Sequence, residues 1–304
     1  MTLKLGPGAV CVVTGGASGI GRAIVRRMAD LGATVIAADI QDDALETMRR
    51  ELADEGLAVL HAQLDVRDEF AVEAFAEEVF ERHGSVDVMV SNAGVADISR
   101  VRPWETPPSR WRWIYDVNLF GLANCLHSFA RRMLDQESPS AFVATASELG
   151  LLTDLDSVIY GSSKHAVIRV MEGLHLHLED IGSSMRATVL CPGLTATNIA
   201  FSDRNNPDPT DRSLVDPSVV SAVADSIAAS ADPSDVAYAL TDAIAEGRFY
   251  CITAPGIETA IRQRMTDQIE GRNPTLRPAG VYCGICAEVR ADCERCRTSG
   301  IRLN

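Results

Sequence analysis

The stretch AVCVVTGGASGIG, residues 9–21, decides how the rest of this chain is read. Its first part is an apolar, β-branched run of strand character. Its second part sets Gly15, Gly19 and Gly21 in a T-G-x-x-x-G-x-G turn, completed by Thr14, Ser18 and Ile20, that leads into a helical pattern. Glycine permits a tight strand-to-helix turn and lets backbone N–H groups approach an anion such as a pyrophosphate at the helix N-terminus. A glycine-rich turn by itself also fits an ordinary βα connection, so its meaning depends on the rest of the chain.

Beyond the turn, strand and helix patterns alternate. Apolar runs at 9–14, 33–39, 57–66, 86–92, 141–147, 186–192 and 248–253 read as strands. The segments 19–31, 42–55, 68–83, 109–134, 157–180, 233–246 and 257–270 read as helices. Seven near-continuous apolar strands separated by helices predict a parallel sheet covered on both faces. Right-handed crossovers then give an α/β doubly wound sheet of the Rossmann type. Residues 198–232 interrupt the rhythm with a long insertion rich in Pro, Asp, Asn and Ser, expected to be a substrate lid or disordered. The prolines and glycines of 270–280 stop the last helix. The expected organisation is one domain over 1–273, including the lid, followed by a small Cys-rich tail over 274–304.

The composition narrows the function classes. A formal charge of −14 over 304 residues argues against a nucleic-acid or anionic-membrane binder, which presents clustered positive charge. No stretch approaches the roughly 20 apolar residues of a membrane span, and the N-terminus does not read as a signal peptide. The expectation is a cytoplasmic protein with reduced thiols, acting on a small molecule. Lys4 and Lys164 are the only lysines in a chain that otherwise uses arginine, so Lys164 stands out as a chemical choice.

Asp39 ends the second predicted strand, eighteen residues after Gly21, where an acid can accept hydrogen bonds from the adenosine ribose of a dinucleotide. It would repel a ribose 2′-phosphate, and Ile40, not a basic residue, comes next. The cofactor reading is therefore NAD. Tyr160 and Lys164 stand four apart on one helix face, and Ser147 closes a strand thirteen residues upstream. Asn118 occupies a mid-helix position for which asparagine has poor propensity. Singly, Ser147 also reads as a cap, Asn118 as a satisfied core amide and Tyr160 as a packed aromatic.

In order and spacing, TGGASGIG, Asp39, LDV (64–66), SNAG (91–94), Asn118, Ser147, Y-x-x-x-K (160–164) and CPGLTAT (191–197) resemble the short-chain dehydrogenase/reductase family across roughly residues 8–273. Ser91 stands where that family commonly has asparagine, a mild departure. The resemblance implies Tyr160 as the acid/base, Lys164 as its electrostatic partner and ribose ligand, Ser147 as the residue orienting the substrate oxygen, and Asn118 as the holder of a relay water. It further implies that Asp65 and Val66 flank the adenine and that Asn92, with Ala93 and Gly94, lies beside the adenosine ribose. Thr195, after Pro192 and Gly193, would approach the nicotinamide carboxamide or the diphosphate. Lowering a tyrosine pKa from near 10 to 7 takes about 4 kcal/mol, which a lysine about 4 Å away supplies at an effective dielectric near 20.

The implied reaction interconverts a secondary alcohol and a ketone, with pocket walls at Val95–Ile98, Leu149–Leu152, Ile199 and Phe201. An NADP-dependent carbonyl reductase and a non-catalytic NAD-binding sensor or scaffold are the alternatives. The resemblance also implies a homodimer or homotetramer through the helices at 109–134 and 157–180. The tail is not part of the family pattern. Its two C-x-x-C pairs, Cys283/Cys286 and Cys293/Cys296, suit a tetrahedral structural Zn²⁺, with a dithiol switch or no shared role as the other readings.

Overall fold

The computed structural model describes residues 3–274 except 137, 153 and 156; the four tail cysteines lie outside the described residues. Seven strands form one sheet in the order β3-β2-β1-β4-β5-β6-β7, every neighbouring pair parallel. They are β1 Val10–Thr14, β2 Thr34–Asp39, β3 Val59–Gln63, β4 Val88–Ser91, β5 Ser140–Thr145, β6 Met185–Cys191 and β7 Tyr250–Ile252. Each lies within about two residues of its expected place, except that β3 is shorter at both ends. The chain reverses direction across the sheet between β1 and β4, the switch point where an open α/β sheet leaves a crevice at the strand ends.

Alternation along the strands feeds two cores. Val10 and Val12 of β1 join one face with Val72, Phe75, Phe129, Val167 and Met171, beneath the helices 69–83, 108–135 and 158–180. Cys11 and Val13 join the other with Ile24, Leu45, Leu52 and Leu240, beneath 19–30, 42–54 and 233–246. Cys11 and Cys251 belong to the second core, Cys125 and Cys191 to the first, and all four are buried free thiols. No helix among the described residues is long and apolar enough to cross a membrane.

The helix of 108–135 widens twice into π-turns, Asp116–Phe120 and Leu126–Ala130. Such turns commonly re-aim a side chain at functional sites. The first carries Asn118. Immediately after it, a Cβ on Gly121 would stand 2.7 Å from Val66 Cγ2, so glycine lets the helix lie against the loop that follows β3.

The insertion is built, not irregular. Its base closes where Thr195 bridges Ala231 and Ala196 N donates to Ala231 O (2.9 Å). Inside lie a 3-10 segment Ile199–Asn205 and the helices Pro209–Arg212 and Pro217–Ala228. Asp208 and Asp216 cap these helices through backbone N–H groups, with proline at the first turn, and Asp232 does the same for Pro233–Glu246. Aspartate at the N-cap followed by proline is a favoured helix start.

Arg110 fixes this insertion to the body. Its guanidinium is fully buried. Nε donates to Asp97 Oδ1 (2.8 Å), while Nη1 and Nη2 donate to the two Asp203 oxygens (2.8 and 3.1 Å). Ala96 N also donates to Ser202 Oγ (3.2 Å). Burial works against the Arg110 charge, but the two carboxylates outweigh it and hold the group cationic. Removing the cation leaves two carboxylates without their partner, so Arg110→Met should cost about 3–5 kcal/mol of stability. Urea midpoints measure this, and a loss below about 1 kcal/mol would mean that the ion pairs do not hold the lid.

Candidate active site

The carboxyl ends of β1, β2, β4 and β5 open onto one cleft, running from Asp39 at one end to Tyr160 and Lys164 at the other. Gly15, with φ +65°, makes the turn at the end of β1. A Cβ on Gly21 would stand 2.1 Å from Gly15 O and 2.5 Å from Asn92 Nδ2, so only glycine lets the helix start this close to β4. Ser18 precedes that helix without a side-chain cap bond, and its first turn holds no acid. The first-turn N–H groups are thus left for an anion. An uncapped helix start, the glycine cradle and an acid at the end of β2 together fit a dinucleotide.

Asn92 ties the turn to the sheet. Its Nδ2 donates to Thr14 O (3.1 Å) and Gly15 O (3.3 Å), while Oδ1 accepts from Thr145 Oγ1 (3.1 Å). Thr14 Oγ1 in turn accepts from the backbone N–H of Asn92 and of Ala93 (3.0 and 3.2 Å).

At the other end, Tyr160 and Lys164 share a face of the helix Val158–Asp180, and both are buried. Lys164 Nζ donates to Thr145 O (2.8 Å) and lies 5.8 Å from the centre of the Tyr160 ring. Ser147 hydrogen-bonds Tyr160, and its Oγ accepts from Leu149 N (3.2 Å). Burial pushes Tyr160 up to about 12, against the Ser147 bond that lowers it. Burial also brings Lys164 down to about 8. Tyr160 is a protonated acid at neutral pH, ready to donate.

Asn118 has committed its amide. Oδ1 accepts from Val95 N (2.8 Å), and Nδ2 donates to Val95 O (3.0 Å) and Ser163 Oγ (2.9 Å). With both donors engaged, a relay water has only the second Oδ1 lone pair or the backbone carbonyl of the π-turn to bind.

At the β2 end, Asp39 Oδ2 accepts from Ala17 N (3.1 Å) and Oδ1 from Gln41 N (3.1 Å), leaving acceptor capacity on each oxygen. Beside it, Arg67 forks Asp65 through Nε and Nη2, with Nη2–Oδ2 at 2.6 Å. Burial raises the Asp65 pKa, but the Arg67 hydrogen bonds outweigh it and hold the carboxyl below its usual range. Asn124 Nδ2 donates to Val66 O (2.8 Å), which locks the same loop.

The cleft wall thus brings together Gly15, Ser18, Gly19, Ile20, Gly21, Asp39, Asp65, Val66, Asn92, Ala93, Gly94, Tyr160, Lys164 and Pro192. Thr14, Asn118 and Ser147 stand behind it, bonded to residues that line it. Gly193 packs against Ala254, where a Cβ would come within 3.0 Å. Thr195 is buried with Oγ1 donating to Gly193 O (2.9 Å); Thr197, Asn198 and Ile199 line the cleft beyond it. Of the expected substrate walls, Val95 and Ile199 face the cleft, joined by Trp113 and Val117. Leu152 packs elsewhere, with Ala254 and Ile257, and Phe201 is exposed. Gln41, Arg67, Ser202 and Arg204 also line the cleft without having been singled out in the sequence. Arg67 had a signal, since it comes directly after the LDV motif; Arg204 had none.

A family model described as short chain dehydrogenase matches residues 9–208. A 1-deoxy-11-beta-hydroxypentalenate dehydrogenase of Streptomyces avermitilis is 33% identical over 256 residues, 84% of this chain and 88% of that protein. A 3beta-hydroxysteroid dehydrogenase 2 of Eggerthella lenta is 31% identical over 207 residues, 68% of this chain and 77% of that one. Among solved structures, a short chain dehydrogenase/reductase from Burkholderia phymatum in complex with NAD is 33% identical, with a TM-score of 0.82, covering 88% of this chain and 97% of that one.

The buried lysine gives a pH test. Between its folded value near 8 and the ordinary 10.5, the unfolded chain binds the extra proton, so this group's contribution to stability rises with pH. Wild-type protein should gain roughly 3 kcal/mol relative to Lys164→Met as pH goes from about 8 to 10.5. Denaturant midpoints at fixed pH read this out, and parallel curves for the two proteins would show that Lys164 is not desolvated.

Proposed function

The chain belongs to the short chain dehydrogenase family, and on that premise we propose that it is an NAD(H)-dependent oxidoreductase interconverting a secondary alcohol and a ketone with apolar substituents. The observation that carries this reading is the buried Tyr160/Lys164 pair at one end of a cleft whose other end holds Asp39. The named activities of the Streptomyces and Eggerthella relatives, both dehydrogenases of hydroxylated compounds, support alcohol chemistry. The NAD-bound Burkholderia structure supports the cofactor.

A bound nicotinamide supplies hydride exchange with the carbinol carbon; the protein supplies position and protons. The helix start at Gly19–Gly21 takes the pyrophosphate, and Asp39 accepts from the adenosine ribose hydroxyls. Tyr160 gives its phenolic proton to the carbonyl oxygen in reduction and takes the alcohol proton in oxidation. Ser147, already bonded to Tyr160, orients the same substrate oxygen. Lys164 places its ammonium beside Tyr160 and returns protons toward solvent through water at Asn118. Val95, Trp113, Val117 and Ile199 make an apolar wall that suits hydrocarbon substituents.

Tyr160→Phe should bind NAD as the wild type does and lose at least about 10²-fold in turnover, the contribution of a positioned acid/base. A panel of alcohols and ketones followed by nicotinamide absorbance checks this, and wild-type rates in the variant would refute the assignment. For residues 274–304 we propose a separate module in which Cys283, Cys286, Cys293 and Cys296 hold one structural Zn²⁺, supported by their spacing. Metal analysis of protein purified without chelator should find about one zinc per chain, lost in Cys283→Ser/Cys293→Ser. Metal-free wild-type protein would remove the idea.

A further inference from the structure

The lid brings to the adenosine end of the cleft a cation that the turn after β2 does not supply. Ile40 and Gln41 come after Asp39, and neither is basic. Arg204, far along the chain in the segment Ile199–Asn205, lines the same wall as Asp39 and Gln41. Its Nη2 donates to Gln41 Oε1 (3.1 Å), and its Nη1 to Phe201 O (2.8 Å) and Asn198 O (3.4 Å). Gln41 Nε2 reaches back to Asn205 Oδ1 (3.2 Å). Asp39 lies within electrostatic reach of the guanidinium. A guanidinium carries five N–H donors. Three are engaged here, so Nε–H and one Nη2–H have no protein partner among the described residues.

We propose that Arg204 is a receptor for a phosphate on the adenosine ribose, so that the cleft takes NADP(H) as well as NAD(H) and the lid sets the ratio. The proposal rests on the oxidoreductase reading above and refines its cofactor choice. Asp39 alone would exclude a 2′-phosphate carrying about −1.5 to −2 charges. A guanidinium with two unspent donors opposes that repulsion and offers the phosphate charge-assisted hydrogen bonds. Two backbone carbonyls and Gln41 already hold the group, so little ordering is left for binding to require. The segment that carries it is itself held by the buried bonds of Asp203 and Ser202 to the body of the protein. Because the cation comes from the lid and not from the turn after β2, the Asp39 carboxylate stays free for NAD.

Calorimetric titration of the full chain with NAD and with NADP tests this without turnover. Wild-type protein should bind both, NAD more tightly. Arg204→Gln should weaken NADP by about 10- to 100-fold, the range expected for a lost hydrogen bond to a charged group, and NAD by less than about 2-fold. Arg204→Lys should recover part of the NADP affinity. Asn205→Ala, which removes a lid contact to Gln41 but keeps the charge, should leave the NAD-to-NADP ratio unchanged. Equal losses for both cofactors in Arg204→Gln, or a ratio shift in Asn205→Ala as large as that in Arg204→Gln, would reduce Arg204 to a lid contact and overturn the proposal. Wild-type protein that binds NAD and ignores NADP would also overturn it. Protein that binds neither dinucleotide would instead refute the oxidoreductase reading itself.

Discussion

The side-chain amide of Asn92 spans β1, β4 and β5 where they end. Through Nδ2 it holds the carbonyls of Thr14 and Gly15, and through Oδ1 it holds the hydroxyl of Thr145, whose own carbonyl receives Lys164 Nζ. One chain of hydrogen bonds therefore runs from the glycine turn to the ammonium of Lys164. It is confined to the carboxyl edge of the sheet, where parallel strands run out of ladder partners and polar side chains must satisfy the backbone instead. The glycine turn and the position of Lys164 thus share one set of hydrogen-bonded partners, Asn92 and Thr145. The absence of Cβ on Gly21 is what leaves space for Asn92 Nδ2 at that point.

The same edge concentrates buried titratable groups. Tyr160, Lys164 and Cys191 all lie where burial dominates, and it pushes the phenol and the thiol up to about 12 and the ammonium down to about 8. The lid answers a different demand. Arg110 is enclosed with two carboxylates, Asp97 and Asp203, whereas Arg204 and Gln41 meet at the exposed rim through weaker bonds. The insertion is thus tied to the body by buried ion pairs at Asp203 and by an exposed side-chain contact at Arg204.

Much of this was legible in the chain itself. Near-continuous apolar runs marked all seven strands because both sheet faces are covered, and strand interiors such as VCVVT have no charged residue to blur the signal. The glycine turn, Asp39, Tyr160 and Lys164 were readable because each is a local spacing. The helices inside 198–232 were not legible because its Asp-Pro pairs look like loop punctuation; in the structure the aspartates are N-caps and the prolines first-turn residues. Tertiary placement hid the rest. Arg110 meets Asp203 across ninety-three positions, and Arg204 meets Gln41 across one hundred and sixty-three. Sequence spacing shows that Tyr160 and Lys164 share a helix face but not how deeply both are buried.

If Tyr160 and Lys164 govern direct hydride exchange between an alcohol carbon and a nicotinamide, the hydrogen must pass between the two without entering solvent. Secondary alcohols deuterated at the carbinol carbon, incubated with the protein and NAD, test this by mass spectrometry of the nucleotide. Direct transfer predicts NADH heavier by one deuterium, with no label lost to solvent. NAD that binds but stays oxidised across the whole panel, or NADH whose new hydrogen comes from water, would contradict it.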